Sequence, residues 1–139
     1  MNYTELTNAI KEYTDNTETT FVNNIPNFVR QTEERIYRSI LIPELRKNVT
    51  TSLTTSNRFL AKPTDFLAVF SIAVVDGSSN YSFLLPKDVN FIREAYPATG
   101  TTGLPVYYSL FDGDNFLIAP TPDSTYTVQL HYYYDPPSI

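Results

Sequence analysis

Leu6, Ile10 and Tyr13 recur at i, i+4 and i+7 near the start of the chain. That spacing predicts a short helix over residues 4–14, with Thr4 as its cap. The polar run Asp15-Asn16-Thr17-Glu18-Thr19-Thr20 then reads as a loop. Proline suits a first helical turn, so Pro26 predicts the opening of a second helix. It is expected to reach about Ile42 and to stop at Pro43. Val29, Ile36 and Ile40, with Phe28 beside them, form its apolar side. Gln31, Glu34, Arg35 and Arg38 take the other side, and Glu34–Arg38 has the i,i+4 spacing of a favourable ion pair.

The period changes at Asn48. Val49, Thr51 and Leu53 alternate with Thr50, Ser52 and Thr54, as in a half-buried strand. A turn at Thr55-Ser56-Asn57 precedes a short return over residues 58–61, and Lys62-Pro63-Thr64-Asp65 turns again. Residues 66–75 form a long apolar, β-rich run that predicts a buried strand. Asp76-Gly77-Ser78-Ser79-Asn80 is a hairpin turn leading into residues 81–85. A short helix is expected from Pro86 to about Tyr96, and residues 97–105 are expected to form a Gly/Thr/Pro loop. Residues 106–111 and 116–119 predict a hairpin around Asp112-Gly113-Asp114-Asn115, and residues 126–134 the last strand. The fold class is therefore α+β: two N-terminal helices, then a mainly antiparallel sheet or sandwich with one short inserted helix. One structural domain is expected, with a helical portion over residues 1–47 and a β portion over residues 48–139.

Composition agrees with that pattern. The 139 residues include 11 Tyr and 9 Phe and no Trp, and aromatics favour pleated surfaces. The absence of cysteine excludes disulfides, thiolate metal sites and cysteine catalysis. No apolar run approaches the roughly 20 residues of a membrane span. The opening Met1-Asn2-Tyr3-Thr4-Glu5 is polar and acidic, unlike a signal peptide. A net charge of −5 places nucleic-acid binding at a disadvantage. The charge is uneven. Arg30, Arg35, Arg38, Arg46, Lys47 and Arg58 lie between residues 30 and 58, and residues 98–139 contain no Lys or Arg.

The chemistry-bearing residues form no catalytic set. Asp112 and Asp114 resemble the start of a calcium loop, but the expected later Glu and flanking helices are missing, so a plain hairpin turn is preferred. His131, the only histidine, stands inside a strand. Ser109, Asp112 and Asp135 are conceivable partners whose spacing fits no motif, so an ordinary strand histidine is expected. Glu33 and Glu34 are adjacent on a helix and point about 100° apart, which suits a solvated or interfacial face better than a paired acid site. Tyr132 and Tyr134 alternate with Tyr133, so the triplet is no three-ring platform. With Tyr107 and Tyr108 it is expected to serve packing, or a protein interface where Tyr is enriched.

Several stretches together resemble the head–tail adaptor (connector) proteins of tailed bacteriophages, the short-tailed type that joins portal to tail. They are the opening "NYTELTNAIKEYTDNTETTFVNNIPNFVRQTEERIYR", the strand entry "KPTDFLAVFSIAVVDG", the segment "KDVNFIREAYP", and "TGLPVYYSLFDGDNFLIAPTPDSTYTVQLHYYY" with its closing proline pair. The resemblance covers nearly the whole chain. It implies a structural, non-enzymatic virion protein without a cofactor, made in the host bacterial cytoplasm and located at the head–tail junction. It further implies a homo-oligomeric ring, expected to be a dodecamer, touching the portal protein and the tail nozzle, with genomic DNA passing through unbound. In such adaptors further helices usually follow the sheet, and a chain shorter than its relatives is one expectation here. Arg30, Glu34, Arg35 and Arg38 are the expected subunit-contact residues. The loop Ala98, Thr99, Gly100, Thr101, Thr102, Gly103 and Leu104 is the expected contact for portal or tail. The competing reading is a carbohydrate- or polymer-binding β-module of a phage tail. It would use the tyrosines with Asp112 and Asp114, and requires Tyr132 or Tyr107 to be exposed. A hydrolase ranks third.

Overall fold

The computed structural model describes residues 1–139. The chain divides into two compact units, one made of Met1–Ile42 with Asp135–Ile139 and the other of Pro43–Tyr134. No helix is long and apolar enough to cross a membrane.

The first unit holds α1 (Tyr3–Thr14) and α2 (Thr19–Ser39). Asn2, rather than Thr4, caps α1. Its side chain accepts from the Glu5 backbone N–H at 2.9 Å, and the Glu5 carboxylate accepts from the Asn2 N–H at 2.9 Å. This reciprocal pair satisfies two orphan donors at the helix start, which a threonine two residues later would leave open. The second helix starts seven residues before the expected Pro26, which lies inside it. Phe21, Ile25 and Val29 fall four apart, and that apolar stripe carries the helix through the proline despite its missing N–H. Ile25 and Val29 are its buried residues, whereas α1 buries none. The helix ends at Ser39, because Ile40 has turned to extended backbone.

A 3-10 turn, Pro43–Leu45, opens the second unit. The strands are β1 (Arg46–Ser52), β2 (Phe59–Ala61), β3 (Phe66–Val75), β4 (Tyr81–Phe83) and β5 (Leu85–Pro86). Then follow α3 (Val89–Ala95), β6 (Thr102–Gly103), β7 (Tyr107–Leu110), β8 (Asn115–Ala119), β9 (Thr121–Pro122) and β10 (Thr127–Tyr134). One sheet has the order β1-β10-β3-β4 and is antiparallel throughout. The other has the order β2-β8-β7-β5, with β5 parallel to β7. The expected single strand over residues 81–85 is two strands in two sheets. Leu84, 5% exposed, is the crossing point. The chain commits there because a leucine at the corner fills the core between the sheets. Pro86 accordingly belongs to β5, and α3 starts later than expected, behind Asp88, whose carboxylate accepts from the Asn90 N–H at 2.7 Å.

The core between the sheets is made by Leu53, Leu60, Ile72, Val74, Leu84, Tyr108, Phe116, Ile118, Val128, Leu130 and Tyr132. Each sheet contributes alternate residues, as period two requires. Strand β8 is buried on both faces. Phe116 and Ile118 enter the core, while Leu117 and Ala119 pack under Ile92 of α3. The fold is α+β and mainly antiparallel, with the parallel exceptions confined to the two-residue pairs β5–β7 and β6–β9.

Candidate assembly surfaces

The four expected contact residues of α2 separate into two pairs. Arg30 Nε donates to Glu34 Oε1 at 3.2 Å on the solvent side. Glu34 therefore pairs one turn back with Arg30, not forward with Arg38. It stands at i,i+4 from both, and its contact goes to the first. Arg35 and Arg38 are exposed and form no ion pair. Around them α2 and its C-cap keep apolar surface in water: Phe28 is 49% exposed, Ile36 43% and the C-cap Ile40 60%. Glu33 points elsewhere. Its carboxylate accepts from the Ser138 hydroxyl at 2.5 Å and the Ile139 N–H at 3.4 Å, so Glu33 and Glu34 share no substrate position. Between the two helices lies a groove of about 260 Å³, lined chiefly by Leu6, Ile10, Phe28, Val29 and Glu33.

Within the second unit, the expected contact loop is partly a strand. Thr102–Gly103 pairs with Thr121–Pro122, and the Thr121 N–H donates to the Thr101 carbonyl at 3.3 Å. Ala98, Thr99, Gly100, Thr101, Thr102 and Leu104 remain exposed, and Gly103 is half-buried. The result is an exposed segment anchored at its return.

Sequence reading missed the outer face of the larger sheet. Phe70, Ile72 and Val74 are two apart and should share a face. Instead Phe70 is 52% exposed while Ile72 and Val74 are fully buried. The register explains it: His131 pairs with Ser71 but Tyr132 pairs with Val69, leaving Phe70 as an extra residue. A bulge of this kind re-aims one side chain. Phe70 then meets the His131 ring at 4.8 Å and the Tyr133 ring at 6.3 Å. The Arg46 guanidinium stands over Phe70 at 4.7 Å, within cation–π range. His131 is thus part of an aromatic surface cluster, and neither Ser109 nor Asp112 hydrogen-bonds it.

The remaining candidates have structural partners. Asp112 Oδ1 accepts from the N–H groups of Asp114 at 2.8 Å and Asn115 at 2.7 Å. The Asp114 N–H bond leads the interactions that hold its carboxyl below the usual range. The carboxylate closes a hairpin turn. Lys62 Nζ donates to the Asp112 carbonyl. Tyr132 is buried, with its hydroxyl donating to Asp65 Oδ1 at 2.7 Å, and Tyr107 is half-buried between Phe91 and Tyr96. The exposed ring that a sugar-stacking module requires is therefore not supplied by Tyr132. A second groove, about 630 Å³, runs between the start of β3 and the β5–α3 and β7 segments, with Phe66, Val69, Val89 and Tyr108 among its walls.

Exposed apolar helix faces, unpaired arginines and an anchored exposed loop are the surfaces of a protein that assembles with other proteins. The family model described as SU10 adaptor protein matches residues 1–139, and the chain belongs to that family of phage head–tail adaptors. A search among curated proteins gave no match. Membership gives the chain a structural role in the virion, in contact with portal and tail proteins.

Proposed function

We propose that the chain forms a closed homo-oligomeric ring, a dodecamer, between the portal and the tail nozzle, and that this ring lines the DNA exit channel. The observation that carries this reading is the exposed apolar surface of α2 beside Arg35 and Arg38, in a member of an adaptor family. A ring needs a heterologous interface, in which one patch meets a different patch on the next copy. Charged pairs then set the register. Arg30, Glu34, Arg35 and Arg38 serve the subunit contact. The loop from Ala98 to Leu104, held at Thr102–Gly103 by β9, reaches the portal or the tail. A subunit charge of −5 favours passage of DNA over retention, because binding requires cations against phosphate. Negative-stain imaging of the purified head–tail junction, with native mass measurement of its parts, tests the proposal. Twelvefold particles of this chain at the portal support it; a free monomer in intact virions refutes it.

A further inference from the structure

We propose that the end of α2 in one copy seats in the α1–α2 groove of the next copy, so that the ring closes helix end to helix groove. This rests on the ring reading and names its contact. The donor patch is the stretch from Arg35 to Ile42. It carries Arg35 and Arg38 and no acid, and it exposes Ile36, Ile40 and Leu41. The acceptor is the groove lined by Leu6, Ile10, Phe28, Val29, Thr32 and Glu33, together with Ile139 of the same unit. Its volume of about 260 Å³ lies below the roughly 300–1,000 Å³ of a small-molecule site and suits aliphatic side chains entering from a helix.

Charge complementarity selects a second copy as the occupant. Outside the donor patch, the helical unit carries Glu5, Glu12, Asp15, Glu18, Glu33, Glu34 and Asp135 against Lys11 and Arg30. A basic, apolar patch therefore meets a helical unit that is net acidic, with Glu33 in the groove lining itself. Arg35 and Arg38 have no acid partner within their own chain. The donor cannot reach its own groove. Ile40, the extended C-cap of α2, stands eight residues beyond the groove residue Thr32, about 12 Å along the axis at 1.5 Å per residue. The two patches are distinct, so their contact is heterologous and repeats from copy to copy.

The chain has no cysteine, which makes crosslinking clean. Virions are assembled with a chain carrying both Thr32→Cys and Ile40→Cys, and in parallel with each single variant. A disulfide within one chain is excluded, since about 12 Å exceeds the ~7 Å Cα limit. Mild oxidation of the double variant is expected to give a ladder of covalent oligomers on a non-reducing gel. Each single variant is expected to remain monomeric there. Intact rings by native mass without a ladder overturn the docking and leave the ring standing. Dimers from a single variant mean a two-fold contact and overturn it too. Absence of any oligomer in the particles overturns both readings.

Discussion

The Tyr132 hydroxyl donates a 2.7 Å hydrogen bond to Asp65 Oδ1, tying the buried centre of β10 to the turn that launches β3. The other Asp65 oxygen accepts from Lys47 Nζ at 2.6 Å on β1. Three segments distant in sequence thus meet at one carboxylate. Burial alone would raise the Asp65 pKa. The hydrogen bonds from Lys47 and Tyr132, with the lysine charge, outweigh it and hold the carboxyl below its usual value. Burial first, and then the bond to the Asp65 carboxylate and its charge, together push the Tyr132 phenol up to about 12.

Tyr132→Phe is expected to lose about 1 kcal/mol at neutral pH, the net worth of one hydrogen bond. Its sharper signature is alkaline. A phenol whose folded pKa is raised stabilises the fold fully below its unfolded value near 10, and that contribution vanishes as pH rises through about 12. The phenylalanine variant should therefore lose less stability than the parent over that window. Urea unfolding at neutral pH and again above pH 10 measures it; parallel losses in both proteins would refute the assignment.

Asp65→Asn isolates the ion pair, because an asparagine oxygen still accepts from Tyr132. The sign is opposite to that of the phenol. A carboxyl with a lowered folded pKa stabilises above its unfolded value near 4, and the contribution is lost as pH falls through the folded value. Lys47 is 44% exposed and Asp65 30%, so solvent screening limits the loss to about 0.5–1 kcal/mol at pH 7. The variant should be less sensitive to acid than the parent. Thermal unfolding at pH 7 and pH 3 gives the comparison.

Asn2→Ala removes the capping box of α1. A lost cap costs about 1 kcal/mol, and α1 buries no residue that would compensate. Amide exchange across residues 3–14 should accelerate about five-fold while the strands keep their protection. Unchanged exchange in α1 would mean that packing, not the cap, holds the helix.

How much of this was legible in the letters depended on whether a residue obeys its local period. The β3 run was readable as a continuous apolar stretch, the hairpin from its Asp112-Gly113-Asp114-Asn115 turn, and the last strand from its alternating tyrosines. The start of α2 was not, because Pro26 gave a plausible local start while the stripe Phe21–Ile25–Val29 acted over a longer window. Phe70 was unreadable for a different reason. A bulge depends on the register with β10, and pairing between distant strands leaves no mark on the β3 residues themselves. Leu84 is similar: an apolar residue in an apolar run becomes a corner only when two sheets exist to cross between. Among the candidate surfaces, the arginines of α2 were visible as a helical face. Their division into a paired Arg30 and free Arg35 and Arg38 was not, since Glu34 has i,i+4 neighbours on both sides.

Reversing both free arginines, Arg35→Glu with Arg38→Glu, separates folding from assembly. Neither residue has an ion-pair partner in its own chain, so the main loss to the fold is the favourable placement of Arg38 in the last turn of α2, about 0.3–1 kcal/mol. The isolated chain should stay folded, with a melting temperature a few degrees lower. Assembly should suffer far more. Two new carboxylates would face the net-acidic helical unit of the next subunit, with Glu33 in its groove, and like charges across an interface cost several kcal/mol. Particles carrying this variant should show at least a ten-fold drop in incorporated chain by quantitative mass spectrometry. Arg93→Glu on α3 reverses a charge within the sheet-bearing unit and serves as the control, expected to assemble at the parental level. Normal incorporation of the double variant would remove Arg35 and Arg38 from the subunit contact, and equal loss in the control would reduce the effect to net charge alone.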